Sequence, residues 1–157
     1  MQLKKLLEQW DLTSLKINAG FLSMEWNPRD EDKTAAWEMY VELITRVATQ
    51  RLVPDRGDER AALTSIYQLF ALTREIVKRN GRHCINFARI AVVVLNQVVR
   101  PFTTKWHREL VDSKKISAAR RRTFRGELAS LQKELRKYTK LLADLAGVED
   151  LTDIENA

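Results

Sequence analysis

An arginine and a histidine are the residues of this chain whose types and spacing could do chemistry together. Arg100 and His107 stand seven residues apart in the stretch VVRPFTTKWH, directly after the most apolar run of the chain. In an unbroken α-helix this interval is nearly two turns, which brings both side chains to one face, roughly 10 Å apart. An arginine can hold a phosphate group, and histidines move protons near neutral pH. One interpretation of the pair is therefore a site that cleaves RNA.

The interval from Arg100 to His107, late in a helical chain, resembles the motif of HEPN-type ribonucleases. The resemblance implies that Arg100 binds the scissile phosphate and that His107 transfers a proton, without a metal ion and usually across a dimer interface. Pro101 departs from the motif, because a polar residue commonly follows the arginine in that family. Eight residues carry the whole of this resemblance.

The same residues also have a structural explanation, which we favour, and under which no catalytic residue is expected. Arg100 can extend its charge into solvent from the end of an apolar helix. Phe102 and Trp106, four residues apart, would cover the core, and Pro101 would kink the helix because it lacks an N–H group. On this interpretation His107 lies at the edge of the core.

A run of lysines and arginines near the C-terminus is the second group that could bind a partner. Residues 108–140 contain eleven basic and four acidic side chains, whereas the whole chain has a formal charge of +6. Such a surface can contact nucleic acid, dock an acidic protein partner, or form a solvated helix face. Glu127 and Glu134 interrupt it and no exposed aromatic set accompanies it, so we expect a protein partner or a solvated face before nucleic acid. The candidate binding residues are Lys114, Lys115, Arg120, Arg121, Arg122, Arg125, Lys133, Arg136 and Lys137.

The sequence contains few residues that could bind a metal ion or a cofactor. His83, Cys84 and His107 are too few for a closed zinc site, which usually takes four ligands, and Cys84 is expected to be a small core residue. No glycine-rich phosphate loop, Ser-His-Asp arrangement or pair of carboxylates stands out. We therefore expect no metal and no cofactor.

The N-terminus and the apolar runs predict a cytoplasmic protein that does not enter a membrane. The first ten residues contain charged side chains and no apolar core of signal-peptide length. The longest unbroken apolar run, Ile90–Leu95, is far shorter than the roughly 20 residues that a membrane span needs.

The periodicity of apolar residues predicts an all-α fold in one domain, residues 1–147, followed by an acidic tail, residues 148–157. Four long helices with short connections predict an up-down antiparallel bundle with an extra N-terminal helical element. Asp58 is expected to cap the second long helix, which Gly81 ends, and Gly147 to end the last one. Residues 11–26 fit either a strand or a helix, and we predict a helix because no second strand could pair with them.

Two of the long helices have distinctive patterns. The stretch from Ile85 to Val99 is apolar on almost every side, which predicts the central and most buried helix. The last helix, from about Ser117 to Ala146, has one narrow apolar seam with alternating steps of four and three residues. The seam consists of Phe124, Leu128, Leu131, Leu135, Tyr138, Leu142 and Leu145.

Three stretches, AAWEMYVELITR, LNQVVRPFTTKWH and YTKLLADLAGVEDLT, resemble small all-α proteins encoded in bacterial conflict or defence operons. The resemblance implies an accessory or signalling subunit. The apolar seam of the last helix, together with the reversal of charge between the basic helix and the acidic tail, predicts a non-catalytic interaction protein that self-associates or docks on a larger partner. The alternatives are a metal-independent ribonuclease and a nucleic-acid-binding protein that uses the basic last helix.

Overall fold

The computed structural model describes residues 1–53, 57–111 and 115–155, whose regular secondary structure is helical and includes no β-strand. A 3₁₀ turn, Arg82–Cys84, precedes the fifth helix, and a π-helical turn, Leu95–Val99, joins the fifth helix to the sixth. The prediction of an all-α fold is confirmed. The helices are α1 (Leu3–Gln9), α2 (Ala19–Leu22), α3 (Asp30–Ile44), α4 (Glu59–Asn80), α5 (Ile85–Val94), α6 (Arg100–Leu110) and α7 (Ala118–Ala146).

The ends of the long helices lie where local turn chemistry places them. The Asp58 carboxylate accepts hydrogen bonds from the first backbone N–H groups of α4, and the Ser117 hydroxyl accepts one at the start of α7. Gly81 and Gly147, with φ of 78° and 70°, end α4 and α7 in the positive-φ region that favours glycine. All these predicted ends are confirmed.

The centre of the core lies between α3 and α7, which share the most extensive contact of any two helices in the described residues. Met39, Tyr40 and Leu43 of α3 are almost fully buried. All seven residues of the predicted α7 seam are buried as well. Towards the C-terminal end of α7 the buried surface is wider than the predicted narrow seam, because Thr139, Leu141 and Ala143 are also buried.

α5 is not the central, most buried helix that its apolar run predicts. Ile85 is 48% exposed and Val92 is 51% exposed, whereas Ile90 faces the interior. The reason lies in two polar residues of the run, Arg89 and Asn96, which stand at helical spacing from Ile85 and Val92. They mark one side of α5 that its neighbours leave uncovered.

The π-helical turn sits immediately before Pro101 and fixes the segment that precedes α2. In that turn the Arg100 N–H bonds to the carbonyl of Leu95, five residues back. Within the turn, the Gln97 side chain accepts a hydrogen bond from Lys16 N at 2.8 Å and donates one to Lys16 O at 2.7 Å. Because the backbone of Lys16 is bonded in this way, the predicted helix over 11–26 is wrong except for α2.

The acidic segment after Gly147 folds back onto the helices. Leu151 N donates a hydrogen bond to the Tyr40 hydroxyl at 2.6 Å, and Thr152 is buried. Asp153 forms ion pairs with two basic residues of α7, Lys140 at 2.6 Å and Arg136 at 3.8 Å. As far as Asp153 the acidic segment is therefore docked on the helices, and it neutralises part of the basic helix.

Candidate functional site

Arg100 and His107 both face α4, but they contact different aromatic rings. The guanidinium carbon of Arg100 lies 4.6 Å from the centre of the Phe70 ring. The His107 ring meets Tyr67 edge-on, with 4.7 Å between the ring centres. Arg100 lines a cavity of about 290 Å³ and His107 lines another of about 150 Å³, and the two cavities share no lining residue. The structure therefore places the pair on one face without bringing it into one pocket.

Arg125, one of the candidate binding residues, holds a loop against the start of α4. Its guanidinium bonds to the Glu59 carboxylate at 3.1 Å and to the carbonyls of Val53 and Gly57 at 3.1 and 3.0 Å. Glu59 is almost fully buried, so Arg125 is the cation that compensates a buried charge. Its role is structural.

Three more candidate residues of α7 are bonded within the chain. Lys137 lies between Asp11 and Glu134, whose carboxylates raise the pKa of its ammonium group. These bonds occupy the cations that a nucleic acid or an acidic partner would have to contact. The three sets of contacts are Arg120 with Glu109, Arg136 with Thr49 O and Asp153, and Lys137 with Asp11 and Glu134.

The remaining candidates are exposed or lie outside the described residues. Arg121, Arg122 and Lys133 are exposed on α7 and form no ion pair with any residue the structure describes. Lys115 is exposed just before α7, and Lys114 lies outside the described residues. Fewer basic side chains of α7 are therefore available to a partner than the sequence predicts.

A cavity of about 880 Å³ opens between α7, the π-helical turn and the segment before α2. Its two carboxylates are already bonded. Glu127 binds Lys105 and accepts a hydrogen bond from Trp106 Nε1 at 2.6 Å, and Glu134 binds Lys137 at 3.0 Å. Since Glu127 and Glu134 are each paired with a lysine, neither carboxylate of this cavity is available to bind a charged ligand.

A second cavity, which we call the apolar groove, has half-exposed apolar side chains on both of its walls. Phe21 of α2 is 47% exposed, and Ile85 and Val92 of α5 are exposed to a similar extent. Exposed large apolar side chains that converge on one cavity mark a candidate interaction site. The groove has a volume of about 410 Å³ and is lined by Leu3, Ile17, Phe21, Ile85, Ala88, Arg89, Val92 and Val93.

A cavity rich in positive charge adjoins the apolar groove, and Ala88 and Val92 line both. We call it the cationic cavity. Three of its lining residues are the cations Arg74, Lys78 and Arg100, and none of the described residues that line this cavity or the groove is a carboxylate. It is lined by Phe70, Thr73, Arg74, Val77, Lys78, Ala88, Val92, Leu95, Asn96 and Arg100.

A buried carboxylate positions the fourth cation of this surface. Asp32 accepts hydrogen bonds from the N–H of Phe87 at 2.9 Å and from the Asn86 amide at 3.0 Å, which anchors the start of α5. The oxygen of the same Asn86 side chain accepts a hydrogen bond from Arg89 at 3.1 Å. Arg89 in turn lies 5.9 Å over the Phe21 ring, so its charge is held at the wall of the groove.

Apart from Arg100, the residues of this surface were not among the candidates from the sequence. Arg89, Asn96 and Arg100 recur on one side of an apolar helix, and that polar stripe is the signal that could have identified an open face. No sequence pattern could have indicated that Phe21 contributes to the groove, because this residue lies in a four-residue helix more than sixty positions earlier in the chain.

The described residues contain no cluster of three or more histidine, cysteine or carboxylate side chains that could hold a metal ion. Cys84 is buried at the start of α5, as expected from the sequence, and burial raises the pKa of its thiol. One helical segment among the described residues, Arg82–Leu110, is long and apolar enough to cross a membrane by length and composition. Core helices of soluble proteins pass the same test.

Comparison of the chain with models of protein families, with curated proteins and with solved structures found no match.

Proposed function

We propose that the chain is a non-catalytic helical interaction subunit, which docks an acidic amphipathic segment of a larger protein in the apolar groove. The observation that carries the proposal is the half-exposure of Phe21, Ile85 and Val92 around a single cavity. Ile85 and Val92 are seven residues apart on α5, so their side chains present about two helical turns of apolar surface. This length suits the apolar face of a partner helix, which contacts a groove at positions three, four and seven residues apart.

The charge around the groove selects the partner. Arg89 stands on its wall and the cationic cavity adjoins it, with no carboxylate lining either. A partner segment whose polar face is acidic would meet complementary charge, which favours both fast association and the correct register. A second copy of this chain placed symmetrically on the groove would bring like charges together, so we commit to a different protein.

The finer architecture, the localisation and the biological setting are part of the proposal. The four long helical segments, formed by α3, α4, residues 82–110 and α7, are proposed to run up and down as an antiparallel bundle that holds the groove on its outside. The location is proposed to be the cytoplasm. The resemblance to small proteins of bacterial defence operons supports a role as the accessory subunit of such a system.

A matched pair of charge substitutions tests the docking site in the native host. Val92→Glu places a negative charge in the groove, and Ala129→Glu places the same charge on an exposed position of α7. Tagged wild-type and variant chains are purified, and the molar ratio of each co-purifying protein is measured as a function of salt. We expect one protein to be retained stoichiometrically by the wild type and by Ala129→Glu, to be lost with Val92→Glu, and to dissociate as the salt concentration rises.

The outcomes that contradict the proposal are equally specific. They are the absence of any stoichiometric protein, equal loss with both variants, or retention of only a second copy of the chain or of nucleic acid. Circular dichroism of both variants checks that they are folded, which we expect because both positions are exposed.

A further inference from the structure

The cationic cavity has the composition of an oxyanion site. Arg74 and Lys78 are one turn apart on α4, and Arg100 reaches the same cavity from the start of α6. Neither Arg74 nor Lys78 forms an ion pair with any residue that the structure describes. Three cations therefore share about 290 Å³ with no lining carboxylate to neutralise them.

Two contacts restrain the Arg100 side chain. Its Nε donates a hydrogen bond to Asn96 Oδ1 at 3.1 Å, and its guanidinium carbon lies over the Phe70 ring. Neither terminal nitrogen of the guanidinium donates to a residue in the described part of the chain. The two terminal nitrogens can therefore bind two oxygens of a ligand as a fork.

We propose that the cationic cavity binds a phosphate monoester. Three uncompensated positive charges match the two negative charges of a phosphate monoester better than the single charge of a carboxylate or of a phosphodiester. The two terminal nitrogens of Arg100 can donate to two oxygens of the phosphate, and the ammonium group of Lys78 supplies a further positive charge.

The carrier of the phosphate follows from the position of the cavity beside the apolar groove. Ala88 and Val92 line both, so a protein segment in the groove can place a phosphorylated serine, threonine or tyrosine in the cavity. This part of the inference rests on the proposed function. The binding of the phosphate group itself does not require the partner.

Titration of the purified chain with small anions tests the site directly. Methyl phosphate, dimethyl phosphate and acetate are compared at constant ionic strength by calorimetry at pH 7.5, and a short single-stranded oligonucleotide is titrated in parallel. The variants are Arg100→Lys, which keeps the charge but removes the fork, and Arg122→Gln, which removes an exposed arginine from α7. Circular dichroism confirms that each variant is folded.

We expect methyl phosphate to bind with an affinity at least about tenfold higher than that of the other two anions. Arg100→Lys should weaken its binding by about tenfold, because charge-assisted hydrogen bonds are lost. Arg122→Gln should leave the binding unchanged.

Three results would overturn the phosphate site. They are equal binding of acetate and methyl phosphate, equal binding by wild type and Arg100→Lys, and tighter binding of a short single-stranded oligonucleotide than of methyl phosphate, which would assign the surface to nucleic acid. Failure here can be told from failure of the docking proposal, since methyl phosphate binding needs no partner and partner retention is measured with Val92→Glu.

Discussion

The guanidinium carbon of Arg100 lies 4.6 Å from the centre of the Phe70 ring. This contact holds Arg100 beside one cavity of α4, while His107 packs on Tyr67 beside another. Arg100 and His107 have the spacing of the ribonuclease motif, but each contacts a different aromatic ring and lines a different cavity.

The first prediction concerns that spacing. The wild-type chain is expected not to cleave single-stranded RNA in the presence of a chelator, because Arg100 and His107 line different cavities. The assay compares wild type, Arg100→Ala and His107→Ala at matched protein folding. Cleavage by the wild type that disappears in both variants would establish the ribonuclease function and contradict the account.

The second prediction concerns Asp32, the buried carboxylate that caps α5. Asp32→Ala should lower the free energy of unfolding by about 3 kcal/mol, because the N–H groups of Arg29 and Phe87 and the amide of Asn86 lose their acceptor. Urea denaturation measures the change. Asp30→Ala, at an exposed position of α3, the helix that also carries Asp32, is the control and should change the free energy of unfolding much less. Equal effects of the two substitutions would show that Asp32 is not the anchor of α5.

The third prediction separates structural from open arginines on α7. Arg125→Ala should lower the free energy of unfolding by about 2 kcal/mol, because it leaves the Glu59 carboxylate buried without its cation. Arg122→Ala removes an exposed arginine of the same helix and should change it by less than about 0.5 kcal/mol. Thermal or urea unfolding at two salt concentrations checks both values. A loss of stability of similar size in the two variants would mean that the Arg125 contacts contribute little.

The fourth prediction concerns alkaline unfolding. Burial raises the pKa of Tyr138 above its ordinary value of 10.0, and its hydroxyl has no hydrogen-bond partner among the described residues. The folded chain keeps a proton that the unfolded chain releases above that pH, so the stability linked to Tyr138 is present below pH 10 and is lost as the pH rises further. Tyr138→Phe should therefore unfold at a higher pH than the wild type, without loss of stability at pH 7.

A control for that measurement is Tyr67→Phe, which changes a tyrosine that is more than half exposed. It should leave the midpoint of alkaline unfolding where the wild type has it. If Tyr138→Phe also leaves the midpoint unchanged, the ionisation of Tyr138 is not what limits the folded state at high pH.

The features that could be predicted from the sequence are those that depend on neighbouring residues. Asp58, Gly81 and Gly147 act within one turn of the chain, and the α7 seam follows from a helical period that one long segment repeats. Such features need no knowledge of what packs on the helix. This is why the helix ends, the all-α class and the buried face of α7 are confirmed.

The features that could not be predicted depend on partners distant in the chain. Whether Val92 is covered is decided by α2 and α4, and an apolar period looks the same with or without a neighbour. The backbone of Lys16 is bonded by Gln97, 81 positions away, which no local pattern indicates. The structural role of Arg125 could not be predicted for the same reason, because its contacts lie 66 to 72 positions earlier in the chain.

The most direct test of the docking site is photo-crosslinking in the native host. A photoreactive benzoylphenylalanine replaces Val92 in one variant and Ala129 in the other, and mass spectrometry identifies the crosslinked peptide. From position 92 the account predicts one peptide of another protein, with apolar residues at helical spacing and acidic residues between them, and no such peptide from position 129. A crosslink from position 92 only to this chain or to nucleic acid, the same peptide from both positions, or no crosslink at all would contradict it.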